Sequence, residues 1–523
     1  MTAGSSMALS RVTSARLGLV FLVLVGLFFF RDSWLPNGTS YTSYKPSPAA
    51  PAAPAVPIVH GTLPDLKPAD ILDHVEHNQT SSVVAKPAVT SLKPASTSLK
   101  PVSTSTSQKP APTASQSCAT VPGADKVLVL LKTGATELYQ KLPTHVVTTF
   151  TCVPHFMIFS DLAQTFADIP VHDAIAPVSK QFREHHEDFE LYRKLQKYHR
   201  EGQDMSKLKG DGGWNLDKWK FLPMLYQAFE AAEKLDGIEW FMMIEADTSV
   251  SWTNLLQWLK TMDPKQAHYL GAQNVIGDTT FAHGGSGVVV SRHTADLMLR
   301  NRNAIGKKAY DEKWEELTST SCCGDEIIAR AFKEVGVELT PAWPLIQGET
   351  VSTVDWTTNH WCTPAITWHH VSPIEVDSLF QFQSDWVDDH GWNEPYLFSD
   401  IFDHFIARHV SVNRTSWNNL SQDQKFVSAA LAQADDKDFY GLEEYEQKSI
   451  DSAEACAAAC MEKNEWECVQ WMFMPGRCHL GKDMRFGKSD DREDEHWTSG
   501  WVQSRLQKFR ERFEGCKKVK WHG

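Results

Sequence analysis

Four short stretches hold most of the residues that could do chemistry. Glu245-Ala246-Asp247-Thr248 closes a nearly continuous apolar run, Ile238-Glu239-Trp240-Phe241-Met242-Met243-Ile244. The run is short, has no helical spacing and reads as a buried central strand. Carboxylates at i and i+2 point to opposite faces of a strand. At a strand end, where the chain turns, Glu245 and Asp247 can converge on one divalent cation, which in turn neutralises a diphosphate. Downstream, Phe281-Ala282-His283-Gly284-Gly285-Ser286-Gly287 sets three glycines in four positions. Gly284 and Gly285 there let backbone pack against a ligand or a second loop where a side chain would collide. Cys322-Cys323-Gly324-Asp325 opens a helical stretch, and the helix dipole favours a carboxylate at that place whatever its task. Trp368-His369-His370 ends an aromatic-rich segment, and an imidazole can complete the coordination of a cation held by carboxylates.

These residues need a scaffold, and the preceding part of the chain supplies one. Lys126-Val127-Leu128-Val129-Leu130-Leu131 reads as a buried strand running into the turn Lys132-Thr133-Gly134. A helical stretch around Glu137 to Thr149 follows, then a second apolar run, Phe156-Met157-Ile158-Phe159, stopping at Ser160-Asp161. Strand, helix, strand with polar residues at the strand ends begins a nucleotide-binding α/β sheet, whose ligands sit beyond the carboxyl ends of the strands. Taken by itself, Asp161 reads as a helix cap. Phe182 to Gly202 is strongly charged and predicts a solvated helix, with His185-His186 on its exposed face. Leu216 to Met224 leads into a helix ending near Lys234, for which an amphipathic helix start is sufficient explanation.

The segments EADTSVSW and FAHGGSGVVVS, in this order and spacing, resemble the acidic motif and glycine-rich segment of the Fringe and core 1 β1,3-galactosyltransferase group. These are family 31 glycosyltransferases, and the fungal membrane-anchored members are the nearest in pattern. The resemblance spans roughly Val127 to His409. It implies a GT-A (Rossmann-like) domain that moves a hexose or N-acetylhexosamine from a UDP-sugar to a glycan or glycoprotein acceptor by inversion, through a β1,3 bond, with a divalent cation such as Mn2+. By register it implies metal ligation by Asp247, by Glu245 and by His369, with His370 the alternative. Asp325 becomes the base that deprotonates the acceptor hydroxyl, because an inverting transfer needs one base and no enzyme nucleophile. Thr133, Gly134, Gly284 and Gly285 fall on the donor side, Asp161 toward the uridine or ribose, and Lys218 or Lys220 near the diphosphate. Three positions depart from the family pattern. The family motif usually has three aspartates before the threonine, where this chain has Glu245-Ala246-Asp247, and Gly324 stands where an acidic residue often precedes the base.

The remainder of the 523 residues divides into unlike parts. A net charge of -14 with no dense basic patch argues against nucleic acid as a partner. Residues 1–16 are expected as a cytosolic tail and 17–35 as an uncleaved signal-anchor, since Arg11 and Arg16 precede an uncharged apolar run and no small-x-small cleavage site follows it. That orientation makes a type II protein of the Golgi or endoplasmic reticulum membrane with its bulk in the lumen. Residues 36–117, rich in Pro, Ser, Thr and Ala, read as a disordered stem. Sequons at Asn37, Asn78, Asn413 and Asn419 are compatible with a lumenal location. All ten cysteines follow the stem, an even number suited to disulfides, with Cys118 and Cys152 bracketing the first strand unit. The expected domains are a GT-A domain at 118–410, a linker at 411–438 and a small α+β module at 439–516. Within the last, Cys456 and Cys460 share a helix face, and the spacing resembles a disulfide-stapled PAN or Apple module. That resemblance implies pairing of Cys460 with Cys468 and of Cys456 with Cys478.

Overall fold

A computed structural model describes residues 117–521, apart from 211, 463–466, 493–495, 514–515 and 517–518. The expected tail, signal-anchor and nearly all of the stem lie outside the described residues. Among the described residues no helix is long and apolar enough to cross a membrane.

Val127–Lys132 is buried along its whole length because it has neighbours on both edges. It pairs in parallel with His155–Ser160 on one side and with Trp240–Glu245 on the other. The eight-stranded sheet runs Thr340–Pro341, Tyr269–Gly271, Val288–Ser291, Trp240–Glu245, Val127–Lys132, His155–Ser160, Ile169–Asp173, Gln164–Phe166. Val288–Ser291 is antiparallel to its neighbours, so the sheet is mixed around a parallel centre. The period of two sorts side chains between two apolar layers. Leu128, Leu130, Phe241 and Met243 join the layer covered by the helices Phe221–Ala232 and Gly324–Glu334. Val129, Leu131, Met242 and Ile244 join the layer covered by Leu138–Val147 and Trp252–Leu259. Each such side chain contributes about 2 kcal/mol on burial. The chain is therefore mixed α/β, as the sequence predicts, with covered faces and a polar edge at the carboxyl ends of the central strands.

A second, four-stranded antiparallel sheet, Gln424–Val427, Arg477–Gly481, Gln470–Met474 and Thr498–Trp501, lies toward the C-terminus. The helix Ala453–Glu462 is stapled to this region by Cys456–Cys478 and Cys460–Cys468, the pairing expected above. Cys118 pairs with Cys152, Cys362 with Cys516, and the adjacent Cys322 and Cys323 with each other. The stretch expected as a linker supplies an edge strand, because Phe426 needs burial and finds it opposite Cys478. Asn419 in the same stretch is fully buried, its amide donating to the carbonyls of Trp471 and Gly500. That sequon is closed to modification in the folded chain, whereas Asn413 is exposed.

The charged stretch after Phe182 is a helix Lys180–His185, a turn Glu187–Phe189 and a helix Glu190–Arg200. It is not solvated throughout. Asp188 is buried and accepts from the Trp219 indole at 2.9 Å.

Candidate active site

The acidic turn and the histidine segment meet because two short strands zip them together. Ser249–Val250 pairs antiparallel with Thr367–Trp368, and Val371 N donates to Asp247 O at 3.1 Å. His369 is buried, with Nε2 3.5 Å from Asp247 Oδ1, and the His370 ring lies 3.9 Å from the His369 ring, centroid to centroid. Ligand atoms of Asp247, His369 and His370 all fall within 4.8 Å of one another. Both histidines considered for the site thus flank Asp247. Burial opposes ionisation of Asp247, but His369 and Lys141 outweigh it and hold the carboxyl well below its usual range. Lys141 reaches in at 3.2 Å from the helix Leu138–Val147.

Glu245 faces a different partner. The parallel register puts it beside Lys132, and the Lys132 ammonium, 2% exposed, lies 3.1 Å from Glu245 Oε1. A second carboxylate, Asp217, binds the same ammonium at 2.5 Å. Burial disfavours the Lys132 charge, yet Asp217 and Glu245 together hold it protonated well above the ordinary lysine value. Glu245 is therefore the counter-ion of a buried lysine and stands outside the converging trio; burial and the neighbouring His369 lower the His370 imidazole, and Glu245 only partly opposes them.

The glycine-rich turn is the bridge between the cation side and the base. Thr248 Oγ1 donates to Gly285 O at 2.7 Å, tying the acidic turn to it. A Cβ on Gly285 would come within 2.2 Å of the His369 ring, so only glycine fits there. One residue earlier, Gly284 N donates to Asp325 Oδ2 at 3.0 Å. Consecutive Cα atoms are about 3.8 Å apart, so the turn sets Asp325 and His369 on neighbouring residues. Burial pushes the Asp325 carboxyl up to about 6, against the amides of Gly284 and Glu326, which pull it down. Gly324 is also a packing requirement: a Cβ would meet the Phe221 ring at 2.3 Å and Lys218 O at 2.5 Å. That contact accounts for the missing acidic residue before Asp325.

On the remaining side, Lys220 is buried and contacts Asp161 at 3.2 Å, Asp217 at 3.3 Å and Thr133 O at 3.0 Å. Asp161 Oδ1 accepts from Ala135 N at 2.8 Å, so both its oxygens are engaged in fixing the Thr133-Gly134 turn. Lys218 points elsewhere, to Asp188 at 2.9 Å and Ser321 O at 3.0 Å, because Asp188 is the nearer buried charge. Of the two lysines considered, Lys220 is the one that joins the cluster.

Residues 216–385 match the family model described as Fringe-like. A Fringe-like domain is thus marked at these residues. The match takes in the acidic turn, the glycine-rich turn, Asp325 and both histidines. The sheet continues beyond the matched residues, since Val127–Lys132 and His155–Ser160 belong to the same sheet as Trp240–Glu245. No curated protein matches the chain significantly. Among solved structures, a glycosyltransferase involved in the glycosylation of the major capsid of PBCV-1 is similar at 10% identity, over 49% of this chain and 98% of that chain, with a TM-score of 0.25. At that score the likeness decides nothing about chemistry.

Sequence reasoning passed over Lys132, Lys141, Asp217 and His283. Lys132 carries a visible signal, a cation at the end of an otherwise apolar strand; the others depend on folding. His283 is half-buried beside the His369 ring, and desolvation, reinforced by His369 and His370, lowers it to about 4. A cavity of about 150 Å³, lined by Trp219, Tyr226, Arg302 and Trp314, lies apart from the carboxylates and imidazoles and shares only Lys218 with the residues considered above.

Proposed function

We propose that this chain is a metal-dependent inverting glycosyltransferase that moves a hexose or N-acetylhexosamine from a UDP-sugar to a hydroxyl of a glycan or glycoprotein, forming a β1,3 bond. The observation that carries the reading is the convergence of Asp247, His369 and His370 beside Gly285, with Asp325 held by the neighbouring Gly284. The donor set of one ionised carboxylate and two imidazoles fits a divalent transition ion such as manganese. The buried His369 Nδ1, which has no hydrogen-bond partner among the described residues, is consistent with a ring that has an unfilled role. When bound, the ion supplies positive charge opposite the diphosphate of the leaving UDP.

The residues of the chain do the rest. The Thr133-Gly134 turn, fixed by Asp161 and Lys220, shapes the nucleotide side, and Lys132 adds a buried cation held by Glu245 and Asp217. Asp325 in its ionised form takes the proton from the acceptor hydroxyl as that oxygen bonds to the anomeric carbon. The bond from that carbon to the diphosphate breaks in the same displacement, and the charge stays on UDP. The sequence-based expectation of a Golgi or endoplasmic reticulum membrane protein, anchored by residues 17–35, belongs to the same proposal; five disulfides suit a lumenal domain.

Calorimetry of UDP binding to the purified lumenal portion, with and without manganese, tests the core of this reading. Manganese-dependent binding in the wild type that disappears in Asp247→Ala supports it. A folded protein that binds no UDP under either condition leaves a glycan-binding scaffold with the same fold as the better account.

A further inference from the structure

The loop from Gln347 to Trp356 stands between the histidine segment and the C-terminal module. On one side it holds the histidines: His369 N donates to Glu349 O at 3.2 Å, and Gln347 Nε2 donates to Glu349 O at 3.0 Å and to Thr367 O at 3.1 Å. On the other side it is gripped by residues Met484 to Gly487. Trp356 N donates to Met484 O at 2.9 Å, Gly487 N donates to Ser352 O at 2.7 Å, and the Arg485 guanidinium pairs with Asp355. Arg485 is itself fixed by the second sheet, its N donating to Gln470 Oε1 at 2.7 Å and its carbonyl accepting from the Trp501 indole at 3.0 Å. Gly487 is itself packed tightly within the C-terminal side, since a Cβ there would fall 1.9 Å from Asn418 O. The Trp356 ring lies 6.4 Å from that of Trp368, the residue before His369, and Cys362–Cys516 adds a covalent tie between the same two regions.

The held segment contains a strained residue. His370 sits at φ 59°, a left-handed conformation that is unfavourable for a non-glycine residue and persists only where the surroundings over-determine it. Backbone bonds at both neighbours, His369 N to Glu349 O and Val371 N to Asp247 O, supply that determination.

We propose that the C-terminal module is a brace that sets the position of His369 and His370 through the Gln347–Trp356 loop, with Arg485 as its positioning residue. The inference rests on the reading of Asp247, His369 and His370 as a cation site. It gives the C-terminal module a task within the reaction domain itself, carried by protein contacts alone.

The test is manganese binding to the full chain by electron paramagnetic resonance, with amide exchange across 349–371 and thermal unfolding measured alongside. Arg485→Met is expected to weaken manganese by about three- to tenfold and to speed exchange in that segment, with the unfolding midpoint near wild type and partial recovery in Arg485→Lys. The paired Cys362→Ser and Cys516→Ser change should act in the same direction, and Asp355→Asn serves should Arg485→Met not fold. Unchanged manganese affinity in these folded variants overturns the brace, whatever the exchange shows. A wild-type chain that binds no manganese overturns the cation site and the brace with it.

Discussion

Asp325 is the residue whose environment speaks most directly about pH. A base must be ionised to accept a proton, and burial raises this carboxyl to about 6. Below that value the protonated form dominates, so kcat/KM should fall about tenfold per pH unit and level off above it; a profile flat from pH 4.5 to 8 would remove Asp325 from the role. Asp325→Asn keeps the contact with Gly284 N and loses the proton acceptor. Its turnover should drop by about 10³-fold in a UDP-release assay, with UDP affinity close to wild type. Lys132 makes a separate case, since it is buried between Asp217 and Glu245. Lys132→Met leaves Glu245 without its counter-ion and Asp217 with Lys220 alone, and a loss of about 3 kcal/mol is expected in urea unfolding.

At the scale of the element, the glycine-rich turn and the Thr133-Gly134 turn make opposite demands on a methyl group. A Cβ at Gly285 would collide with His369 at 2.2 Å, whereas at Gly134 the nearest atoms stand at 3.7 Å. Gly285→Ala should therefore displace His369 and abolish manganese-dependent UDP binding, while Gly134→Ala should leave it within about twofold, ordinary van der Waals contact being cheap. Equal behaviour of the two variants in calorimetry would show that the turn does not set the histidine. The strand ends follow a similar logic. Lys132 and Glu245 meet because parallel register aligns the last residues of adjacent strands, whereas Asp247, two residues on in the turn, is paired with Lys141 and His369 instead.

For the whole molecule, one apolar cluster joins Trp356, Trp368 and Phe402 to Met484, Phe486 and Trp501 of the C-terminal module. Chain expressed through a secretory route should carry glycan at Asn413 and none at Asn419, because the Asn419 amide is committed to Trp471 O and Gly500 O. Mass spectrometry of tryptic glycopeptides separates the two; occupancy at Asn419 would mean that the second sheet forms late or opens.

The resemblance to a PAN or Apple module supplied the Cys456–Cys478 and Cys460–Cys468 pairings, while the α/β class, the two central strands with their polar ends, the helix that begins near Asp325 and the Cys118–Cys152 disulfide were legible in the sequence itself. Each rests on local pattern: the period of two, short apolar runs, turn residues and cysteine spacing. Glu245, Asp247, Asp325, His369 and His370 stood out as reactive residue types at element ends, and the resemblance to family 31 glycosyltransferases implied their roles. Local pattern does not say which charge meets which. That Glu245 goes to Lys132, that Lys220 joins the cluster while Lys218 turns to Asp188, and that Gly324 must lack a side chain under Phe221 are outcomes of packing between segments roughly thirty to more than a hundred residues apart. So is the grip of Arg485 on Asp355, 130 positions away in the chain. Pairings of that kind are decided by which buried charges and rings the finished sheet brings within reach, and only the tertiary structure holds that information.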